Sequence, residues 1–236
     1  MRQAGKITAG ARSVARAAIA DGLTTKQVDK AVNDFIIKSH AIPTFKGYGG
    51  FPGSACVSVN EEIIHGIPGK RVIHNGDIVS VDVGATFKGF VGDCAGTYPC
   101  GEISEEAKKL IAATKQSFFE GIKMAKAGNH LHDISNAIDE YISQFGYGIV
   151  RDLVGHGIGT KLHEDPQIPN FAQKRRGIRL EPGMTLAIEP MINMGRADVE
   201  WLDDDWTVVT EDGSLSAHYE NTILITEGEP EILTLY

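Results

Sequence analysis

Five residues in this sequence carry titratable or ligating groups in apolar or glycine-rich surroundings: Asp82, Asp93, His156, Glu189 and Glu220. Taken singly, each has a bland reading. Asp82 and Asp93 suit a solvated hairpin, His156 a hydrogen-bonded core histidine, Glu189 a strand end before Pro190, and Glu220 a surface acid. Carboxylates left unpaired among apolar neighbours are costly, and four anions brought together repel one another strongly. Cations between them remove both objections. As a set, the five have the ligand inventory for two divalent ions bridged by carboxylates. Hard oxygen donors with one imidazole suit Mn, Fe, Co or Zn without choosing among them.

The elements that must position these groups are legible from periodicity. Ile78–Val83 and Phe90–Tyr98 flank a turn near Phe87–Gly89, and Val79, Val81 and Val83 alternate with Ser80 and Asp82. Alternation at period two around a short Gly-containing connection predicts a β-hairpin. Pairing the strands brings Asp82 and Asp93 close to opposite one another, an arrangement that like charges oppose. Ile7–Ala20 reads as a helix stopped at Asp21-Gly22. A second helix starts from Thr24, with Gln27 placed for a capping box, and carries Val28, Ala31, Val32, Phe35 and Ile36 on one face. Gly47–Gly53 is a glycine-rich loop with two aromatics, a flexible connection or a binding loop. Ala55–Val59 is a short strand. Ser104 caps a helix reaching about Ala127, and Ile134, Ala137, Ile138, Tyr141 and Ile142 face another.

Two elements recur in nearly constant register. Gly22, Val28, Ala31, Val32, Phe35 and Ile36 return 106 residues later as Gly128, Ile134, Ala137, Ile138, Tyr141 and Ile142. The strand Gly76–Asp82 returns 107 residues later as Gly183–Glu189, which puts Glu189 in the place of Asp82. This predicts an internal duplication, with halves of about 1–103 and 104–236 in a single domain. Glu220, after a turn at Asp212-Gly213, is expected on a hairpin arm.

Composition bounds the rest. The chain has 236 residues, is 42% hydrophobic and 23% charged, and carries a net charge of −8, which speaks against a protein that tracks phosphate backbones. No apolar run is long enough for a membrane span. Three cysteines (Cys56, Cys94, Cys100) without metal-type spacing fit a reducing, cytoplasmic setting.

The order Asp82, ten residues, Asp93, then Gly155-His156-Gly157-Ile158-Gly159, Ile188-Glu189-Pro190 and Tyr219-Glu220-Asn221 resembles the methionine aminopeptidases. Those belong to the pita-bread metallopeptidases, with prolidase and the proline-specific aminopeptidases. Only 33 residues separate His156 from Glu189, which matches the short bacterial-style type I enzymes without the type II insertion or an N-terminal extension. The resemblance implies an α+β pita-bread fold, a curved antiparallel sheet with helices on its outer face. It implies removal of N-terminal methionine when the second residue is small, by a metal-activated water. Asp93 and Glu220 would bridge two divalent metals, Asp82 completing one site and His156 with Glu189 the other. Glu189 would relay the proton, His163 would bond the scissile carbonyl, and His65 would contact the amide nitrogen. Phe45, Tyr48, Phe51, Cys56, Leu162 and Trp206 would line the methionine pocket, Leu162 standing where relatives often have an aromatic. Asn60, Glu62 and Ser216 would hold a monovalent cation. The implied partners are nascent polypeptide N-termini met at the ribosome, for a monomer that binds neither membrane nor nucleic acid sequence. An X–Pro peptidase, a non-catalytic binding module and a purely structural cation site are the competing readings.

Overall fold

β-Branched residues at every second position from Val79 to Val83 favour a strand that packs one face on a core. In the structure, a computed structural model that describes residues 1–235, Ala55–Val59 (β1), Ile78–Phe87 (β2) and Phe90–Pro99 (β3) run antiparallel with β2 in the middle. Lys88 and Gly89 both take positive φ, 51° and 79°, as a two-residue hairpin turn of matching twist requires. That turn fixes the register: Asp82 faces Ala95 and Asp93 faces Gly84. The two aspartates are therefore diagonal neighbours, close to opposite as expected from sequence and not directly paired. They share a face, since directly paired residues point the same way.

Helices Arg2–Ala17 (α1) and Thr25–Lys38 (α2) cover this sheet, where Ala11, Ala15, Val28, Val32 and Ile36 join Val57, Val79, Val81 and Val83 in one core. Each fully buried Val or Ile contributes about 1.5–3 kcal/mol relative to leaving it exposed. The α1 helix begins five residues before the expected Ile7, because its buried stripe already includes Ala4 and Gly5. The Thr24 N–H donates to Gln27 Oε1 at 2.8 Å, completing the backbone arm of the expected cap.

Glu105–Ile122 (α3) is capped by Ser104, whose Oγ accepts the Ala107 N–H at 3.1 Å. It ends before the expected Ala127, since Met124 and Ala125 bond three residues back and Gly128 turns at φ 93° to reach the Leu180 carbonyl. With Leu131–Ile142 (α4) it buries Phe118, Ile134 and Ile138 against Leu186, Ile188, Tyr219 and Ile223.

The second group of strands comprises Gly155–Gly157 (β4), Glu164–Ile168 (β5), Thr185–Ile188 (β6), Met191–Asn193 (β7), Ser216–His218 (β8) and Asn221–Leu224 (β9). Strand β4 pairs with β5 and β6, β6 with β9, and β7 with β8, all antiparallel. Strands β6 and β7 are thus one arm interrupted at Glu189-Pro190, and β8 and β9 another interrupted at Tyr219-Glu220. Proline has no N–H for the ladder, and its carbonyl instead accepts the Tyr219 N–H at 3.2 Å. Gly213 does turn, at φ 70°, but the strand after it pairs with β7. Val208–Thr210, the strand before the turn, pairs with Val199–Trp201 and Glu62–Ile64. The hairpin arm expected for Glu220 is accordingly replaced by a break between two strands.

Candidate metal centre and cleft

Glu220 reaches the hairpin because the break lets its backbone leave one sheet and join another. Ala95 and Glu220 exchange both main-chain hydrogen bonds, at 3.3 and 3.1 Å. Thr222 Oγ1 accepts the Asp93 N–H at 3.0 Å and donates to the Asp93 carbonyl at 2.9 Å. Thr97 Oγ1 does the same for the main chain of His218. This seam along β3 sets Asp93 and Glu220 side by side.

His156 arrives from the other side on β4, opposite Ala187. The flanking glycines are required by close backbone approach: a Cβ at Gly155 would lie 2.4 Å from the Ala187 carbonyl, and one at Gly157 2.2 Å from that of Asp165. His156 Nδ1 donates to the Gly157 carbonyl at 2.9 Å, which fixes the proton there and leaves the Nε2 lone pair free. Nε2 lies 4.0 Å from Asp93 Oδ2 and 3.6 Å from Glu189 Oε1.

Ligand atoms of Asp93, His156 and Glu220 all lie within 4.8 Å of one another. Asp82 and Glu189 line the same cleft. Asp82 Oδ1, Asp93 Oδ1 and Glu220 Oε1 are buried without a hydrogen-bond donor. Burial, then the neighbouring carboxylates, drives Asp93, Glu189 and Glu220 well above the usual carboxylate range. Burial lowers His156 to about 4, so it is neutral. Orphaned anionic oxygens beside a free imidazole nitrogen are what a divalent cation satisfies, and the donor set fits one.

The cleft holds a cavity of about 120 Å³ and continues from the acids into an apolar pocket. Phe45, Tyr48, Phe51, Cys56, Leu162 and Trp206 all line it, as do His65 and His163. Ile64 lines it as well, a residue the sequence reading passed over. Phe51 meets Trp206 edge-on, with centroids 5.1 Å apart. His65 holds a left-handed backbone at φ 58°, uncommon for a residue with a side chain. Its ring sits edge-on to Trp206 at 6.1 Å, and burial lowers it to about 4. Tyr48 is tied by its hydroxyl to His163 Nδ1 at 2.7 Å, so it touches the auxiliary histidine as well as the pocket. The Ser216 N–H donates to the Asn60 carbonyl at 2.9 Å, while the Glu62 carboxylate takes the Val59 N–H and faces Arg71.

Two further residues carry no expected role from sequence. His218 is buried with both ring nitrogens unpartnered, its Nε2 3.7 Å from Glu189 Oε2. Its place two residues before Glu220 was a signal, since period two aligns side chains along a strand. Arg12 is the other: a buried guanidinium whose position on the alanine-lined stripe of α1 marked it as unusual.

The model of metallopeptidase family M24 matches residues 1–227. A methionine aminopeptidase of Clostridium acetobutylicum is 58% identical over all of this chain and 94% of its own length. The crystal structure of the methionine aminopeptidase of Thermotoga maritima superposes with a TM-score of 0.98 at 48% identity, covering all of this chain and 95% of that one. Prolidase from Pyrococcus furiosus is similar at a TM-score of 0.78 and 23% identity, over all of this chain and 62% of that one, and shares the fold alone.

Proposed function

This chain belongs to metallopeptidase family M24, within it to the type I methionine aminopeptidases, and from that premise we infer which of its residues carry the reaction. The fold is the α+β pita-bread fold, and the activity is metal-dependent removal of an N-terminal methionine. The observation that carries the residue assignment is the convergence of four acids and a neutral histidine at the floor of an apolar cleft.

Asp82, Asp93, His156, Glu189 and Glu220 would hold two divalent ions, with Asp93 and Glu220 shared between them. Bound there, the ions supply Lewis acidity and a nucleophile at neutral pH. The Glu189 carboxylate takes the proton from the attacking water and returns it to the departing amine nitrogen. His163 is neutral, lowered by burial. With Nδ1 engaged by the Tyr48 hydroxyl, its Nε2 is the nitrogen left to donate to the scissile carbonyl oxygen. His65 faces the scissile amide nitrogen. Phe45, Phe51, Leu162 and Trp206, with Cys56 and Ile64, surround the methionine side chain, whose thioether suits aromatic edges. A lysine or glutamate there would lose its hydration without gaining a partner. We take the chain as one domain of two like halves acting on nascent polypeptide N-termini in the cytoplasm. Among the described residues no helix is long and apolar enough to cross a membrane.

A panel of short peptides tests this specificity. Met-Ala-Ser is cleaved well, Met-Lys-Ser poorly and formyl-Met-Ala-Ser not at all, because the acids at the floor receive a free amine. Leu-Ala-Ser is slower, since apolar pockets separate such shapes by only about 1–3 kcal/mol. Equal rates on Leu-Ala-Ser and Met-Ala-Ser, or faster cleavage of an X–Pro peptide with X other than Met, would overturn it.

A further inference from the structure

Arg12 sits on the buried side of α1, 7% exposed, and all four of its hydrogen bonds end on oxygens of neutral groups. Nη1 donates to the Ala95 carbonyl at 3.0 Å, the Glu220 carbonyl at 2.9 Å and Asn221 Oδ1 at 3.2 Å. Nη2 donates to the Thr234 carbonyl at 3.1 Å. Two of these acceptors are the residues whose main chains join β3 to the Glu220 segment, so the guanidinium grips the seam that sets Asp93 beside Glu220. Its aromatic neighbour is Tyr219, whose ring centroid lies 5.7 Å from Cζ. A buried cation needs opposite charge to offset its lost hydration, and carbonyl dipoles supply only part of that. The nearby excess of negative charge is the acid cluster. Through its bond to the Glu220 carbonyl the guanidinium sits on the main chain of one member of that cluster.

We propose that Arg12 is a positioning residue of the metal centre, a fixed counter-charge that lets four acids fold around one cavity before metal arrives and opposes the metal once it is bound. The proposal rests on the reading that those acids hold divalent ions. It separates two duties of one side chain: the grip on the seam, which is structural, and the charge, which couples folding to metal.

The two duties respond differently to substitution. Arg12→Gln removes the charge and keeps a donor, while Arg12→Lys keeps the charge and cannot reach all four oxygens. The full chain is stripped with chelator. Tm is then measured without metal and saturated with Mn(II), and Mn(II) affinity is measured by calorimetry near neutral pH. In Arg12→Gln the gap between loaded and stripped Tm widens, and Mn(II) binds roughly tenfold more tightly, the scale of one short-range charge–charge interaction. Arg12→Lys keeps the wild-type gap and affinity while both its Tm values fall together. An Arg12→Gln protein that folds only with Mn(II) supports the proposal. Parallel loss of both Tm values in Arg12→Gln, weaker Mn(II) binding, or failure to fold with and without Mn(II) would leave Arg12 a scaffold residue and overturn it. Absence of Mn(II) binding to the wild type is a separate outcome, which removes the metal-centre reading itself and this proposal with it.

Discussion

Asp82 and Asp93 stand on an unbroken hairpin of two ten-residue strands, whereas Glu189 and Glu220 stand at matching breaks in a second pair of arms. In the hairpin, paired residues continue before and after each aspartate along its strand, and period two aims the side chains. At the breaks, Pro190 ends the ladder and Glu220 transfers its main-chain bonds to Ala95. The first pair of acids is thus placed by local structure and the second by tertiary structure. The contrast locates where the site is self-supporting and where it depends on neighbours such as Thr222, Arg12 and the ions themselves.

The largest effect comes from the point where the two regions meet. Asp93→Ala removes an acid common to both proposed ion sites and takes peptide hydrolysis to the assay background. Because Asp93 lies inside a ladder, circular dichroism of the variant remains that of a folded protein. Unfolding of Asp93→Ala would show that the hairpin is less self-sufficient than its pairing indicates.

Next come the auxiliary histidines above the acids. His163→Ala and His65→Ala each lower kcat by about 10²–10³, by analogy with the loss of one donor from an oxyanion hole, with KM changing far less. Metal stoichiometry stays at the wild-type value in both. A rate near wild type for either variant returns that histidine to a structural role.

Tyr48→Phe is a smaller and sharper test, because two readings of Tyr48 diverge. As a pocket wall, its loss of a hydroxyl leaves kcat alone. As the partner of His163 Nδ1, its loss lowers kcat by roughly tenfold, within the general acid–base range, and leaves KM for Met-Ala-Ser unchanged. A raised KM with normal kcat would favour the wall.

The smallest effect is the pH dependence of the stripped protein. Burial raises Asp93, Glu189 and Glu220 in the folded state, so above about pH 4 that state binds more protons than the unfolded chain. Their contribution is present at low pH and lost as pH rises through the raised values. His65 and His156, lowered by burial to about 4, and His218, lowered to about 3, act in the opposite sense only below their ordinary 6.5. Above that, the acids act alone. With Asp82 raised to about 7 by burial as well, stripped protein loses Tm as pH rises above ~6.5, by about 2–4 °C for each kcal/mol, while Mn(II)-saturated protein holds level. Hydrogen exchange should place the loosening at Glu189-Pro190 and Tyr219-Glu220 and leave β2 and β3 protected.

How much of this was legible in the sequence follows the same division. The hairpin, β1, the Thr24–Gln27 cap and the Ser104 cap rest on neighbours in the chain, and the structure places them within a few residues of expectation. Asp82 and Asp93 were expected close to opposite and are diagonal neighbours; the residue-level register depends on a two-residue turn that periodicity locates only approximately. Glu220 was expected on a hairpin arm, since a Gly turn says that the chain reverses and not which strand it then meets. His218 and Arg12 owe their meaning to residues far along the chain, Glu189 and the Ala95–Glu220 seam, which composition and spacing do not reveal. The double placement of Tyr48 has the same cause, its partner lying on a different loop.

The central claim is that these acids and His156 form a hydrolytic centre working through bound divalent ions. It is tested most directly by titrating Mn(II) into chelator-stripped protein while following cleavage of Met-Ala-Ser. No cleavage is expected without metal, with recovery on titration. Full-rate cleavage by protein shown to be free of metal would contradict it.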